Sequence, residues 1–202
     1  MFTGLIRELA NVKSLNHGTL TLNAKYKPNI GDSIAVNGAC LTVVSRSSGE
    51  FSVELSPETE KLISIKNLKN RVHIEPAMQI NDRLEGHIVQ GHVDTVGRIA
   101  KIVNNGNSFD FFVSCEKKFI KFMIPKGSVA IDGVSLTINE VYEDSFRLTI
   151  IPHTMKNTLF EFYSIGREVN IETDMFARYI YNMFGKKDGV SWDKIDSIMA
   201  QY

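Results

Sequence analysis

The chain repeats itself. Residues 33–43 read Ser-Ile-Ala-Val-Asn-Gly-Ala-Cys-Leu-Thr-Val and residues 128–138 read Ser-Val-Ala-Ile-Asp-Gly-Val-Ser-Leu-Thr-Ile, with five of eleven positions identical at an offset of 95. The same offset sets Phe51 on Phe146, Pro57 on Pro152 and Thr59 on Thr154. Towards the ends the offset drifts. Val72 and Glu75 fall on Val169 and Glu172, and Thr3-Gly4-Leu5-Ile6 aligns loosely with Val96-Gly97-Arg98-Ile99. A long unit that occurs only twice is a duplicated domain and not a solenoid. Each half is large enough to bury a core of its own. The repeat divides the chain near Gly86 into residues 1–86, residues 87–184 and a tail, residues 185–202.

Within each half the pattern predicts strands. Residues 19–22, 33–36, 41–44 and 51–55 are short, alternating or β-branched, and Gly18, Gly31-Asp32, Asn37-Gly38 and Ser47-Ser48-Gly49 separate them. Asn37-Gly38 and Asp132-Gly133 supply the backbone freedom of a tight hairpin turn. Ser56-Pro57-Glu58 reads as a helix start, with a capping hydroxyl, a proline suited to the first turn and an acid at the positive end of the dipole. Many short strands with one short helix per half point to an all-β protein of two small closed barrels. The tail is different: Met175, Phe176, Tyr179, Ile180, Met183 and Phe184 have helical apolar spacing. Trp192, Ile195, Ile198, Met199 and Tyr202 resume it beyond a break at Gly185–Gly189. Such a stripe needs either its own barrel or another subunit to cover it.

Several function classes are disfavoured at once. Net charge is +0, which argues against a nucleic-acid binder. The densest apolar stretch, residues 109–124, is broken by Asp110, Glu116, Lys117, Lys118 and Lys121, so no membrane span is expected. Two cysteines, Cys40 and Cys115, without a basic-then-apolar leader, fit a cytoplasmic protein. There is no Gly-x-Ser-x-Gly elbow, no phosphate-binding glycine loop and no His-Glu-x-x-His. His87 and His92, five apart, would lie on opposite faces of a strand, so no metal site is expected. The informative feature is where the copies differ: Asn37 and Cys40 in the first become Asp132 and Ser135 in the second. Matched pockets would bind two similar ligands, and polar differences would give one pocket a different task. The plainer alternative is that Asn and Asp merely exchange in a turn and that Cys and Ser are both small enough for a tight strand.

Residues 1–6, 37–42, 56–59, 86–94, Lys126-Gly127, residues 132–137 and residues 151–154 occur in the order and at the spacing of the riboflavin synthase alpha-chain family, which this sequence resembles over residues 1 to about 184. The resemblance implies two six-stranded Greek-key barrels, with a C-terminal helical segment that assembles a homotrimer. The implied reaction is a dismutation of 6,7-dimethyl-8-ribityllumazine that needs no cofactor, because donor and acceptor of the four-carbon unit are both substrate. Carried over by position, Gly4, Leu5, Ile6, Cys40, Leu41, Thr42, Glu54, Leu55, Ser56, Pro57, Glu58 and Thr59 would bind one lumazine. Gly91, His92, Val93, Ser135, Leu136, Thr137, Ile150, Ile151, Pro152, His153, Thr154 and Met155 would bind the other, with Lys126 reaching in from a neighbouring chain. His92, Ser135, Thr137, Asp132, Lys126 and Cys40 are the implied catalytic positions, and His87 is expected to be structural or to act behind them. Association with lumazine synthase is a further implied possibility. The rival is an antenna protein that binds lumazine or flavin without turnover. It would not need Lys126, Asp132, Ser135, Thr137 and His92, all of which are retained.

Overall fold

The computed structural model describes residues 1–184. The helix expected over residues 185–202 lies outside the described residues. The first half forms β1 (Glu8–Asn16), β2 (Thr19–Asn23), β3 (Ser33–Val36), β4 (Ala39–Ser47), β5 (Glu50–Glu54) and β6 (Arg71–Pro76), closed in the order β1-β2-β5-β4-β3-β6. The second forms β7 (Thr95–Asn104), β8 (Phe109–Ser114), β9 (Ser128–Ile131), β10 (Val134–Val141), β11 (Ser145–Ile150) and β12 (Glu168–Thr173), closed in the same order. Both are antiparallel throughout. The expected all-β architecture of two six-stranded barrels is the one observed. Among the described residues, no helix is long and apolar enough to cross a membrane.

Closing so few strands requires sharp bends, and bulges supply them. In the first barrel the register slips between Val12 and Ser14 and between Val43 and Ser45. In the second it slips between Ile99 and Lys101 and between Ile138 and Glu140. The β4 and β10 bulges keep the offset of 95, but those on β1 and β7 are 87 apart. The strand pairing agrees. Leu9 lies opposite His73 and Val96 opposite Asn170, so Leu9 and Val96 are equivalent. It follows that Gly4 corresponds to Gly91, and the sequence pairing of Gly4 with Gly97 is corrected. Between residues 2–6 and 89–93 the glycine is the only shared residue, which left the true alignment without a signal.

The turns behave as their residues require. Asn37 and Gly38 have φ of 43° and 83°, Asp132 and Gly133 of 45° and 83°, the left-handed pair that a tight hairpin between twisted strands needs. These two turns meet at the junction of the barrels. A Cβ on Gly38 would lie 2.7 Å from the Gly133 nitrogen, so only glycine permits the approach. The Ser56 hydroxyl caps α1 (Pro57–Leu62) by accepting from the Thr59 amide at 3.1 Å. The short helix α2 (Lys117–Ile120) belongs to the second barrel alone, and α3 (Pro152–Asn157) is the counterpart of α1. The final helix, α4 (Met175–Phe184), leaves Phe176, Tyr179, Ile180, Met183 and Phe184 exposed.

Each barrel has its own apolar core, one around Leu20, Leu22, Ile34, Phe51 and Ile74, the other around Phe111, Ile131, Phe146, Leu148 and Ile171. A third cluster of Phe2, Ala35, Val89 and Ala130 joins them. Phe2 is wholly buried there and exchanges both backbone hydrogen bonds with Val89, at 2.7 and 3.0 Å. Burying a phenylalanine contributes about 1.5–3 kcal/mol, so this small cluster is a substantial fastener. Below it lies a polar interlock. Asn37 accepts from the His73 amide at 2.8 Å, as Asp132 accepts from the Asn170 amide at 2.7 Å. The His73 ring and the Asn170 side chain then cross over, one to the Asp132 carbonyl and the other to the Asn37 carbonyl, each at 2.9 Å.

Candidate active site

The alternation of a strand decides which expected residues can meet a ligand through their side chains. Along β4, Ala39, Leu41 and Val43 point into the barrel, while Cys40 is half-buried and Thr42 exposed on the outer face. Along β10, Val134 and Ile138 are buried and Leu136 packs on the core, leaving Ser135 and Thr137 outward. Leu41, Leu136, Leu55 and Ile150 therefore offer backbone only. Cys40 and Ser135 each anchor an outer surface, or floor.

Each floor is completed by a segment that comes from beside the other barrel's first strand. The Cys40 amide donates to the Gly91 carbonyl at 2.8 Å, and the Ser135 amide donates to the Gly4 carbonyl at 2.8 Å. Both glycines have φ near 79°, and a Cβ on either would come 2.5 Å from the Cβ of Cys40 or Ser135. Ile6 packs on the second barrel's core, whereas Val93 belongs to the first barrel's. The two straps are thus exchanged. The grouping expected from sequence placed Gly4, Leu5 and Ile6 with Cys40, and Gly91, His92 and Val93 with Ser135. The structure reverses it. A boundary at Gly86 also passes between straps that each serve the opposite barrel.

A carboxylate holds each strap. Glu75 accepts from the Thr3 amide at 2.7 Å and the Gly4 amide at 3.0 Å. Glu172 accepts from the amides of Gln90, Gly91 and His92 at 2.6, 2.9 and 3.0 Å. Burial pushes both acids up, Glu172 to about 7, against the amide bonds that stabilise the charged form. Neither was singled out from the sequence. Their only signal was the repeated Val-x-Ile-Glu ending of the sixth strand.

Around the first floor, Glu54, Ser56, Pro57 and Glu58 are exposed and Thr59 is half-buried. Around the second, Ile151, Pro152 and His153 are exposed, with Thr154 and Met155 half-buried. Lys126, in the left-handed region at φ 69°, is exposed on the turn before β9. His92 is exposed beside the first floor.

Two expectations change. Asp132 does not reach either floor: it is wholly buried, accepting from the Tyr163 hydroxyl and the Asn170 amide, with burial raising its carboxyl to about 6. Its place is the interlock, where a carboxylate can satisfy both donors. His87 moves the other way. It lies in no strand, and its Nδ1 sits 2.7 Å from the Ser135 hydroxyl. Burial lowers its proton affinity, which Asp174 partly restores, so the ring is neutral near pH 7 and able to take a proton.

Two copies of a barrel with exchanged glycine straps and a Cys/Ser difference define a duplicated protein with two related outer floors. The model of the lumazine binding domain matches twice, over residues 3–77 and 90–174. The chain is 41% identical to the riboflavin synthase of Actinobacillus pleuropneumoniae, covering 93% of this chain and 91% of that one. It is 38% identical to that of Bacillus subtilis, with 92% and 91% covered, and 37% identical to that of Saccharomyces cerevisiae, with 86% and 79% covered. Among solved structures, LumP complexed with riboflavin superposes with a TM-score of 0.76 at 21% identity over 86% of this chain, a likeness of fold. The chain belongs to the riboflavin synthase family of two-domain lumazine-binding proteins.

Proposed function

We propose that this protein converts two molecules of 6,7-dimethyl-8-ribityllumazine into riboflavin and 5-amino-6-(D-ribitylamino)uracil by transfer of a four-carbon unit. The observation that carries this reading is the pair of equivalent floors, built alike but furnished with Cys40 in one and a Ser135–His87 pair in the other. Two like floors suit two like substrates, and their polar difference suits a reaction in which one molecule donates and the other accepts. The balance closes on substrate alone, since what one lumazine loses the other gains. Holding two rings in one arrangement removes much of the entropic barrier. Placed proton carriers add roughly two to four orders of magnitude.

On this reading Thr42 and residues 54–59 frame one lumazine over Cys40, with the Gly91 strap beneath. Thr137 and residues 151–155 frame the other over Ser135, with Gly4, Leu5 and Ile6 beneath. Neutral His87 draws the proton of the Ser135 hydroxyl, which can then direct a water or a ring substituent. His92, at the rim of the first floor, shuttles the methyl proton on this reading, and Lys126 serves a neighbouring chain's site. Thr42 and Thr137 are exposed on the two floors among the described residues, which supports closure by juxtaposing the first barrel of one chain with the second of another. The exposed apolar face of α4 supports assembly into a homotrimer. A cytoplasmic location and association with lumazine synthase belong to the same reading.

The test is incubation of the purified protein with 6,7-dimethyl-8-ribityllumazine alone, in chelator, with chromatography of the products. One riboflavin and one pyrimidine per two lumazines is the expected result. Stable binding without product would make it an antenna protein.

A further inference from the structure

The two straps are held alike by Glu75 and Glu172, but among the described residues only the second strap also hydrogen-bonds to a helix. Arg178 of α4 reaches back across the second strap. Its guanidinium donates to the Gln90 side chain at 2.8 Å and to the Asp94 carboxylate at 2.5 Å. Asp94 in turn accepts from the backbone and hydroxyl of Thr173, both at 2.7 Å. Thr173 directly follows Glu172, whose carboxylate gathers the amides of residues 90–92. This ring of contacts closes around Gly91, whose carbonyl receives the Cys40 amide. Arg178 and Asp94 are both largely sheltered, with side chains 21% and 14% exposed, so their pairing is not the loose surface kind.

We infer that Arg178 is a positioning residue for the first-barrel floor: it ties helix α4 to the Gly91 strap, and through it to Cys40. The inference rests on the reading of that floor as a substrate site. It gives α4 a second task beyond offering an apolar face, since whatever seats the helix also seats the strap. The first strap, residues 2–6, has Glu75 but no guanidinium among its hydrogen-bond partners.

The charge arrangement supplies a test that packing alone would fail. The charged groups that act most on Glu172 are Arg178 from α4 and Asp94 from the segment before β7, while Asp174, just before α4, acts on His87. Arg178 favours the ionised carboxylate and Asp94 opposes it. An ionised Glu172 can accept three amides; a protonated one turns a donor towards them, and the strap loosens. Removing the arginine therefore favours loosening at neutral pH, and removing the aspartate's charge opposes it.

The experiment is the rate of Cys40 alkylation, mapped by mass spectrometry and expressed relative to wild type at each pH from 5.5 to 9, alongside riboflavin formation. Arg178→Ala should move the acidic fall of activity upward by about one pH unit, a shift equivalent to a tenfold change in protonation. It should also expose Cys40 near pH 7 and lose that excess by pH 9. Asp94→Asn should move the same limb downward, and Arg178→Lys should restore it. An ion pair that only stabilises the fold would shift neither limb and would lower the melting temperature of both variants. That outcome, or shifts in the same direction, overturns the inference. If wild type makes no riboflavin the proposed function fails, while the Cys40 rates still decide the role of Arg178.

Discussion

Cys40 and Ser135 occupy one place in two copies of one barrel, yet their surroundings differ in a consistent way. Both sit second in β4 or β10, both donate an amide to a strap glycine, and both face outward. Ser135 has an imidazole at 2.7 Å, and no hydrogen bond of the Cys40 thiol to a described side chain matches it. Beneath them the contrast continues. Asp132 is satisfied by Tyr163 and Asn170, whereas the Asn37 Nδ2 is buried with no partner among the described residues. The residue in the place of Tyr163, at the end of the same short turn, is Leu68. Duplication has kept the backbone scheme and varied the polar groups hung on it. Backbone geometry therefore marks what both floors must do, and the side chains mark what only one does.

The most damaging changes should be those that strike the shared scheme. Gly4→Val and Gly91→Val each place a branched side chain at positive φ, where an atom 2.5 Å away already blocks a Cβ. Displacing a floor by about 1 Å can cost on the order of 100-fold, and each variant should lose at least that much riboflavin formation. Circular dichroism should show both barrels intact. Equal activity in either variant would mean that the straps do not shape the floors.

Changes to what differs should be milder and asymmetric. Ser135→Ala and His87→Ala should each slow turnover by about 10–100-fold, in the range of a positioned proton carrier. The double variant should be little worse than either, because the two act as a unit. Cys40→Ala is expected to cost less than Ser135→Ala under the same steady-state assay. If the single losses at Ser135 and His87 multiply instead, the two side chains work independently.

The interlock sharpens the comparison through pH. Asp132 holds its proton more tightly when folded than an ordinary carboxylate, at about 6 against 3.8. Its stabilising contribution is complete below about pH 3.8 and is lost as pH rises through about 6. Asp132→Asn, which copies Asn37, removes that loss. The variant should gain on wild type by about 1.4 kcal/mol per unit of pH across this window, read by chemical denaturation at several pH values. His73 has the opposite sign. Burial lowers it to about 4, and its Nε2 accepts from the Leu159 amide at 2.7 Å. Its contribution is present above about pH 6.5 and lost as pH falls towards 4. His73→Gln should flatten that acid loss, while costing about 1–3 kcal/mol at neutral pH for the buried amide left without its acceptor.

Much of this architecture was legible because the constraint behind it is local. The Asn37-Gly38 and Asp132-Gly133 turns, the Ser56 cap and the alternation of β2 and β5 follow from backbone and side-chain preferences that act within a few residues. The straps were not legible. Residues 2–6 and 89–93 share a glycine and little else, because each is shaped by a carboxylate some 70 to 80 residues away and by a floor on the opposite barrel. For the same reason Glu75 and Glu172 looked like ordinary strand endings, and His87 looked structural. The resemblance named residues on both straps and both floors, but it could not say which strap belonged to which. That assignment lives in tertiary hydrogen bonds.

The exchanged straps are the centre of this account, and Cys40 reports on them directly. Bound riboflavin should shield the Cys40 thiol from alkylation in wild type, and the measurement is that protection, mapped by mass spectrometry, in Gly4→Ala and Gly91→Ala. Protection retained in Gly4→Ala and lost in Gly91→Ala is the predicted result. Protection lost in Gly4→Ala and retained in Gly91→Ala would return each strap to its own barrel and contradict the account.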